Sequence, residues 1–226
     1  MVTNEAIVTY QQASIVLFDF DGVLVDSNAA KLDCFCELAA LFGSAAVSRL
    51  KALLANRPHA NRFEIVDFIL EGNEIRGSIT RDGLLHRFSE CSKSRVLQLR
   101  VSPALATLRA ADSRPWAIIS ATEQRDMQEI ALRLGISEYF EAGVFGSPKT
   151  KFEHIRDVGE ARGLNGSDMV LLGDRISDLQ AALKAGIGFI FVSDWSDSSS
   201  SDLAALRLKP TVESLSNIVE SIGSLD

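Results

Sequence analysis

An α/β architecture, a parallel sheet with a separate helical insertion, is predicted by three features of this sequence. From residue 102 to 192 short apolar runs of strand type alternate with amphipathic helical patterns, the order expected of parallel strands whose connecting helices cover both faces of a sheet. Between residues 28 and 99 four helical patterns follow one another with no strand-like run among them, so that stretch reads as a unit of its own. Ahead of it stands one further strand, Val16-Leu17-Phe18, closed by Asp19-Phe20-Asp21-Gly22.

With 226 residues, 46% hydrophobic and 23% charged, the chain can bury one substantial core and a smaller second one. Residues 1–26 and 101–226 are expected to form the sheet domain and residues 27–100 the helical domain. A net charge of -7 leaves no basic footprint for nucleic acid, and suits a protein that concentrates a divalent cation. No apolar run approaches the length that spans a bilayer, so no membrane partner is expected. Residues 1–12 lack a basic start followed by an apolar block, so no ordinary signal peptide is expected either. The three cysteines, Cys34, Cys36 and Cys91, have no zinc-ligand spacing; they are expected to be small apolar fillers in a reducing, cytoplasmic setting.

Taken in order, the first strand carries the most chemistry. Side chains two apart in a strand leave the same face, so Asp19 and Asp21 at its frayed end can reach one centre. Two such charges about 4 Å apart repel by roughly 4 kcal/mol at an effective dielectric near 20. The pair must then keep a proton or hold a cation, and both states are chemically useful. The plainer alternative is a solvated Asp-x-Asp-Gly turn. The four helical patterns cover residues 28–43, with Leu32, Phe35, Cys36, Ala39 and Phe42 recurring at three and four and Gly43 as a stop, then 44–55, 61–70 and 80–99. Ser102 caps the next helix, with Pro103 at its first position. Strand 116–120, helix 122–134, strand 142–146, helix 151–162, strand 168–173, helix 177–185 and strand 187–192 follow. Residues 193–202, rich in Ser and Asp, read as a loop. Thr211 is expected to cap a last helix carrying Val212, Leu215, Ile218 and Val219.

Ligands of such sheets bind outside the carboxyl ends of the strands. There the sequence places Asp19, then Ser120, then Gly146-Ser147-Pro148-Lys149-Thr150-Lys151, then Gly173-Asp174-Arg175-Ile176-Ser177-Asp178. Carboxylates, a hydroxyl and a lysine at one edge are what a transferring phosphoryl group needs. Magnesium fits the oxygen ligands, since it takes one or two carboxylates and keeps several waters. Each group alone has a plainer role. Ser120 with Glu123, Thr150 with Glu153 and Ser177 with Gln180 have the spacing of capping boxes; Asp178 would suit a helix's first turn; Lys149 and Lys151 could be surface cations. Helix capping does not predict polar clusters at four successive strand ends.

These motifs resemble the haloacid dehalogenase-like (HAD) hydrolase superfamily, in the phosphatase branch with a helical C1-type cap. The opening Asp-Phe-Asp-Gly-Val-Leu-Val-Asp-Ser and the closing Gly-Asp-x-x-x-Asp are specific, and the resemblance runs from Leu17 to Asp178. It implies a Rossmann-like parallel sheet core with the cap inserted after the first strand. It also implies a magnesium-dependent phosphatase that forms an aspartyl-phosphate on a small phosphate ester. By position Asp19 would be the nucleophile and Asp21 the acid and base. Ser120 and the N–H of Ala121 would hold the phosphoryl group; Ala121 stands where the family has Asn or Gly. Asp19, Asp174 and the backbone carbonyl of Asp21 would hold the magnesium, with Asp178 a ligand through water or a support. The motif lysine is Lys151, if it begins the helix, or Lys149, if it sits in the loop before. Within the cap, Arg62, His59 and Arg57 are the candidates for substrate contact, or else a solvated turn between helices. Asp26-Ser27 and residues 100–103 would be the two cap linkers.

Other chemistries weigh differently. Asp21 counts against haloalkanoate dehalogenation, and nothing marks Lys31 or Lys51 as the amine that phosphonate cleavage requires. A phosphomutase would keep Asp21, and a non-catalytic phosphate-binding module would keep the fold. Whether the ester is a sugar phosphate, phosphoglycolate or a nucleoside monophosphate stays open, as does monomer against homodimer.

Overall fold

The computed structural model describes residues 2–57, 60–71 and 79–223. Helix α1 (Asn4–Gln12) starts where the Thr3 hydroxyl accepts the Ala6 N–H at 3.3 Å, and buries Ala6 and Tyr10. The sequence reading contains no helix here, because two buried positions one turn apart do not make a periodic pattern. Strand β1 (Ile15–Phe18) is buried at every residue, as a strand covered on both faces must be.

Helices α2 (Asn28–Ala40), α3 (Ser44–Asn56), α4 (Arg62–Leu70) and α5 (Arg81–Val96) follow. They form one compact unit, Ser27–Gln98; the remainder of the chain forms the other. Helix α4 begins in a capping box: Asn61 accepts the N–H groups of Phe63 and Glu64, and Glu64 accepts that of Asn61 at 2.8 Å. Inside the unit Phe35 stacks on Phe88 with ring centroids 4.0 Å apart, among Leu38, Leu50, Val66, Ile69 and Leu84. Of the stripe expected on α2, Phe35 and Ala39 are buried, but Leu32 is 41% exposed, and Cys34 and Leu38 are buried beside them. The reading of the cysteines as fillers is corrected for two of them: Cys34 and Cys91 form a disulfide, and Cys36 is free. Packing of α5 along α2 brings together residues 57 apart in sequence, which local spacing cannot report.

The chain continues through α6 (Ala104–Ala111), β2 (Trp116–Glu123), α7 (Gln124–Arg133), β3 (Gly143–Ser147), α8 (Lys151–Arg162) and β4 (Met169–Gly173). It ends with α9 (Ile176–Ala185), β5 (Gly188–Val192), α10 (Ser200–Leu206), β6 (Thr211–Val212) and α11 (Leu215–Gly223). All strand pairs are parallel, in the order β3-β2-β1-β4-β5-β6. The chain therefore steps from β1 out to β3 and returns to the other side of β1 with β4. That reversal opens the crevice where parallel sheets hold ligands. Phe18, Trp116 and Phe140 cluster within one layer, while Leu17, Ile119, Ile155, Leu171 and Leu179 belong to another core cluster. The segments flanking the helical insertion are tied by a Val25–Val101 bridge and by the Ser102 N–H donating to Leu24 O at 2.8 Å.

Three expectations are corrected. Pro103, not Ser102, is the N-cap of α6, and no side chain caps it. Residues 211 and 212 pair with β5 as a sixth strand rather than opening a helix; two residues are too few to show alternation in sequence. Helix α10 begins at Ser200, inside the stretch read as loop, with the Ser199 hydroxyl accepting the Asp202 N–H. Among the described residues no helix is long and apolar enough to cross a membrane.

Candidate active site

The carboxyl end of β1 remains in the sheet for one more residue, because the Asp19 N–H donates to Leu172 O at 2.8 Å. This fixes the Asp19 backbone, and its own side chain is fixed at both oxygens. Oδ1 accepts the Phe20 N–H at 2.7 Å and Oδ2 lies 2.7 Å from Lys151 Nζ. The chain then turns sharply: Leu24 and Val25 donate to Phe20 O, and Gly22 donates to Val25 O. Asp21, within this turn, is half-buried.

Lys151 is placed by the start of α8. Thr150 and Glu153 form the reciprocal capping box read from the sequence, with the Glu153 carboxylate accepting the Thr150 N–H at 2.8 Å. The capping reading and a site role coexist there, since the box leaves Lys151 as the first helical residue. Its ammonium meets both Asp19 and Asp178. Lys149 goes elsewhere: its Nζ is 2.7 Å from Asp157 and its side chain is 59% exposed. It lines a cavity of about 990 Å³ along β3, with Phe145, His154 and Arg162, to which no other predicted site residue among the described residues contributes.

Asp174 and Asp178 are both fully buried. Asp178 Oδ2 accepts the Arg175 N–H at 3.1 Å, so the first turn of α9 is closed by Asp178 rather than by the expected Ser177 and Gln180 pair. Gly173 makes this possible, because a Cβ there would lie 2.5 Å from the Asp178 Cβ. Ligand oxygens of Asp19, Asp174 and Asp178 all lie within 4.8 Å of one another. The Asp21 carboxylate is not in that trio.

Ser120 is 1% exposed and sits on β2, two residues beyond Ile118, the partner of Phe18. It does not open a helix. Strand β2 runs on to Glu123, whose side chain caps α7 by accepting the Arg125 and Asp126 N–H groups. The β2–β3 register shifts between Ile119 and Glu123, and the Ser120 hydroxyl accepts the Thr122 N–H at 3.1 Å. Ala121 is exposed. In the helical unit Arg57 pairs with Glu64 at 3.1 Å and the Arg62 guanidinium lies over Phe63; His59 lies outside the described residues.

Asp19 is the acid of the trio on which burial outweighs its cationic partner. Burial is the largest influence on the Asp19 carboxyl, opposed by Lys151 and reinforced by Asp178 and Asp21, and the group is pushed up to about 7. Burial would lower Lys151, but the Asp178 and Asp19 carboxylates outweigh it and hold the ammonium charged. A small divalent cation among these oxygens would favour the ionised form of Asp19. An all-carboxylate donor set suits magnesium and not a soft metal, so the residues present fit that ion.

Sequence reasoning missed the setting of Asp174. The Ser196 and Ser198 hydroxyls both donate to its backbone carbonyl, at 2.6 and 3.1 Å, and Asp197 between them pairs with Arg175 at 2.8 Å. An arginine between two motif aspartates is the one local signal of this arrangement.

A family model described as haloacid dehalogenase-like hydrolase matches residues 13–186. A phosphorylated carbohydrates phosphatase of Thermotoga maritima is 28% identical over 185 residues, which are 78% of this chain and 83% of that protein. Two solved structures share the fold. A HAD hydrolase of family IA, variant 3, from Entamoeba histolytica has a TM-score of 0.72 at 17% identity, covering 92% of this chain and 99% of that one. CbbY of Rhodobacter sphaeroides, in complex with xylulose-(1,5)bisphosphate, has a TM-score of 0.69 at 15% identity, covering 90% and 95%.

Proposed function

This chain belongs to the haloacid dehalogenase-like hydrolases, and from that premise we propose that it is a magnesium-dependent phosphatase of a small phosphorylated metabolite. The observation that carries the reading is the Lys151 ammonium between Asp19 and Asp178, within a buried carboxylate trio at the carboxyl end of a parallel sheet. A lone turn or helix cap would not assemble these groups.

In this mechanism an Asp19 carboxylate oxygen attacks the ester phosphorus and the bond from phosphorus to the alcohol oxygen breaks. The Asp21 carboxyl gives its proton to that departing oxygen. Asp21 then takes a proton from a water whose oxygen bonds to phosphorus, the bond to Asp19 breaks, and inorganic phosphate leaves. The Ser120 hydroxyl and the Ala121 N–H bond the phosphoryl oxygens, and Lys151 balances charge gathered on them. Asp19, Asp174 and the Asp21 carbonyl would hold the magnesium, with Asp178 supporting Lys151 and the turn at Arg175. When bound, the ion supplies Lewis-acid polarisation of the phosphoryl group.

The named relative acts on phosphorylated carbohydrates, which favours a sugar phosphate as substrate. Substrate choice is assigned to residues 27–100 as a cap, with Arg62, Arg57 and His59 the positions to vary. The test is phosphate release from an aryl phosphate and a panel of sugar phosphates, with and without magnesium. Wild type should release phosphate only with the metal, and Asp19→Asn should lose about 10³-fold or more of the rate. Metal-independent turnover, or an active Asp19→Asn protein, would overturn the reading; a stable product isomer without free phosphate would indicate a mutase.

A further inference from the structure

The carboxyl end of β2 is held to its neighbour by a side chain where the regular ladder stops. Ile119 pairs with Phe145 and Glu123 with Ser147, so three residues of β2, Ser120, Ala121 and Thr122, stand opposite one of β3, Gly146. Bulges of this kind recur beside active sites, where they re-aim a side chain, and this one carries the Ser120 hydroxyl and the Ala121 N–H. Its far side is closed by Gln124, the first residue of α7. The Gln124 amide donates to Val144 O at 2.8 Å and accepts the Gly146 N–H at 2.7 Å, as the backbone of a paired strand would. The Gly146 carbonyl meets His154 Nε2 at 2.9 Å; a carbonyl only accepts, so Nε2 carries the proton. Buried His154 stands one turn beyond Lys151 on α8. Gly146 is thus gripped at its N–H from the Ser120 side and at its carbonyl from the helix of Lys151.

We infer that Gln124 is a positioning residue for phosphoryl transfer: its amide holds the β2 bulge against Gly146, so that Ser120 and the Ala121 N–H keep a fixed aim relative to Lys151. The inference rests on the phosphatase reading, in which those groups meet the phosphoryl oxygens. Gln124 touches no reacting atom in that reading and acts through the backbone on either side of it. Donors aimed at charge that develops in the transition state act more strongly there than in the ground state, and a misplacement of about 1 Å can cost about 10²-fold in rate. Loss of the Gln124 amide should therefore fall on kcat and spare KM. A glutamine that only braced the fold would change stability and neither constant.

The experiment is steady-state phosphate release from p-nitrophenyl phosphate by the full chain with magnesium, and its inhibition by orthovanadate, which takes the five-coordinate geometry of a phosphoryl group in transfer. The proteins are wild type, Gln124→Met, Ser120→Ala and the double variant, each with native circular dichroism and a melting midpoint well above the assay temperature. Gln124→Met should lower kcat by about 10–100-fold, weaken orthovanadate in parallel and leave KM within about twofold. Beside Ser120→Ala its effect on kcat should shrink by about threefold or more, because both changes act on the same contacts. Gln124→Asn, whose amide is one methylene too short to reach both partners, should show the same loss and replaces Gln124→Met if that variant does not fold. Unchanged kcat and orthovanadate inhibition in a folded Gln124 variant, or a loss fully additive with Ser120→Ala, overturns the positioning role and leaves the phosphatase reading intact. A wild-type protein that releases no phosphate from any ester overturns that reading and this inference with it.

Discussion

At Asp112 a buried carboxylate accepts the Tyr10 hydroxyl at 2.6 Å and both arms of the Arg114 fork, with Nε at 2.9 Å. Arg114 also donates to Ala13 O at 2.8 Å, so one side chain joins α1 to the approach of β2. Burial is the largest influence on Asp112 and would raise it, but the hydrogen bonds from Arg114 and Tyr10 prevail and hold it below the usual carboxylate range. Asp19 is the reverse case, where burial prevails over Lys151. The same residue type is thus a stabilising anchor in one place and, in the proposed function, the nucleophile in the other. A carboxyl with a depressed folded pKa contributes stability above its unfolded value of about 3.9, and loses it as pH falls through the lower folded value. Asp112→Asn should therefore cost about 3 kcal/mol at pH 7, since it leaves Arg114 without its counter-charge, and the deficit should close only below about pH 4. Urea unfolding across pH checks this; a deficit already gone at pH 6 would contradict it. Asp19, Asp21, Asp174 and Asp178 stand out in the sequence as motif residues. Asp112 does not, because its partner Tyr10 is 102 residues away.

Among elements, β2 and β3 change register beside Ser120. After the register shift the Gln124 side chain takes over from the ladder, donating to Val144 O at 2.8 Å and accepting the Gly146 N–H at 2.7 Å. The backbones come so close that a Cβ on Gly146 would lie 2.4 Å from Thr122 O and 2.9 Å from the Gln124 backbone. Gly146→Ala should therefore push the 120–124 segment away, lowering stability by about 1–3 kcal/mol and reducing turnover because Ser120 moves with it. Denaturant unfolding and steady-state rates of the variant test both effects; a variant unchanged in both would show that the approach is not required. The start of α8 was legible because Thr150 and Glu153 act within one turn. The same spacing at Ser120 and Glu123 misled, because pairing with β3 carries β2 three residues past Ser120 and moves the helix start to Glu123.

On the scale of the whole molecule, each compact unit has its own core, and the helical unit has a covalent tie as well. The Cys34–Cys91 disulfide closes a loop of 57 residues, which by chain entropy is worth about 4 kcal/mol. Dithiothreitol, or a Cys34→Ala/Cys91→Ala variant, should lower the melting transition of the helical unit in scanning calorimetry; identical transitions with and without reductant would mean the tie contributes nothing. The alternation of strands and helices, the run of four helices, the capping box at Thr150 and the acidic motifs could be read from the sequence alone. Each depends on residue spacing along a few turns or one strand, and backbone periodicity makes that spacing a reliable guide to which side chains share a face. Only the tertiary structure joined Cys34 to Cys91, brought Lys151 between Asp19 and Asp178, left Lys149 with Asp157, and set Asp197 against Arg175. Those outcomes, and the opposite behaviour of Asp19 and Asp112, depend on distance and burial in space, which separation along the chain does not determine.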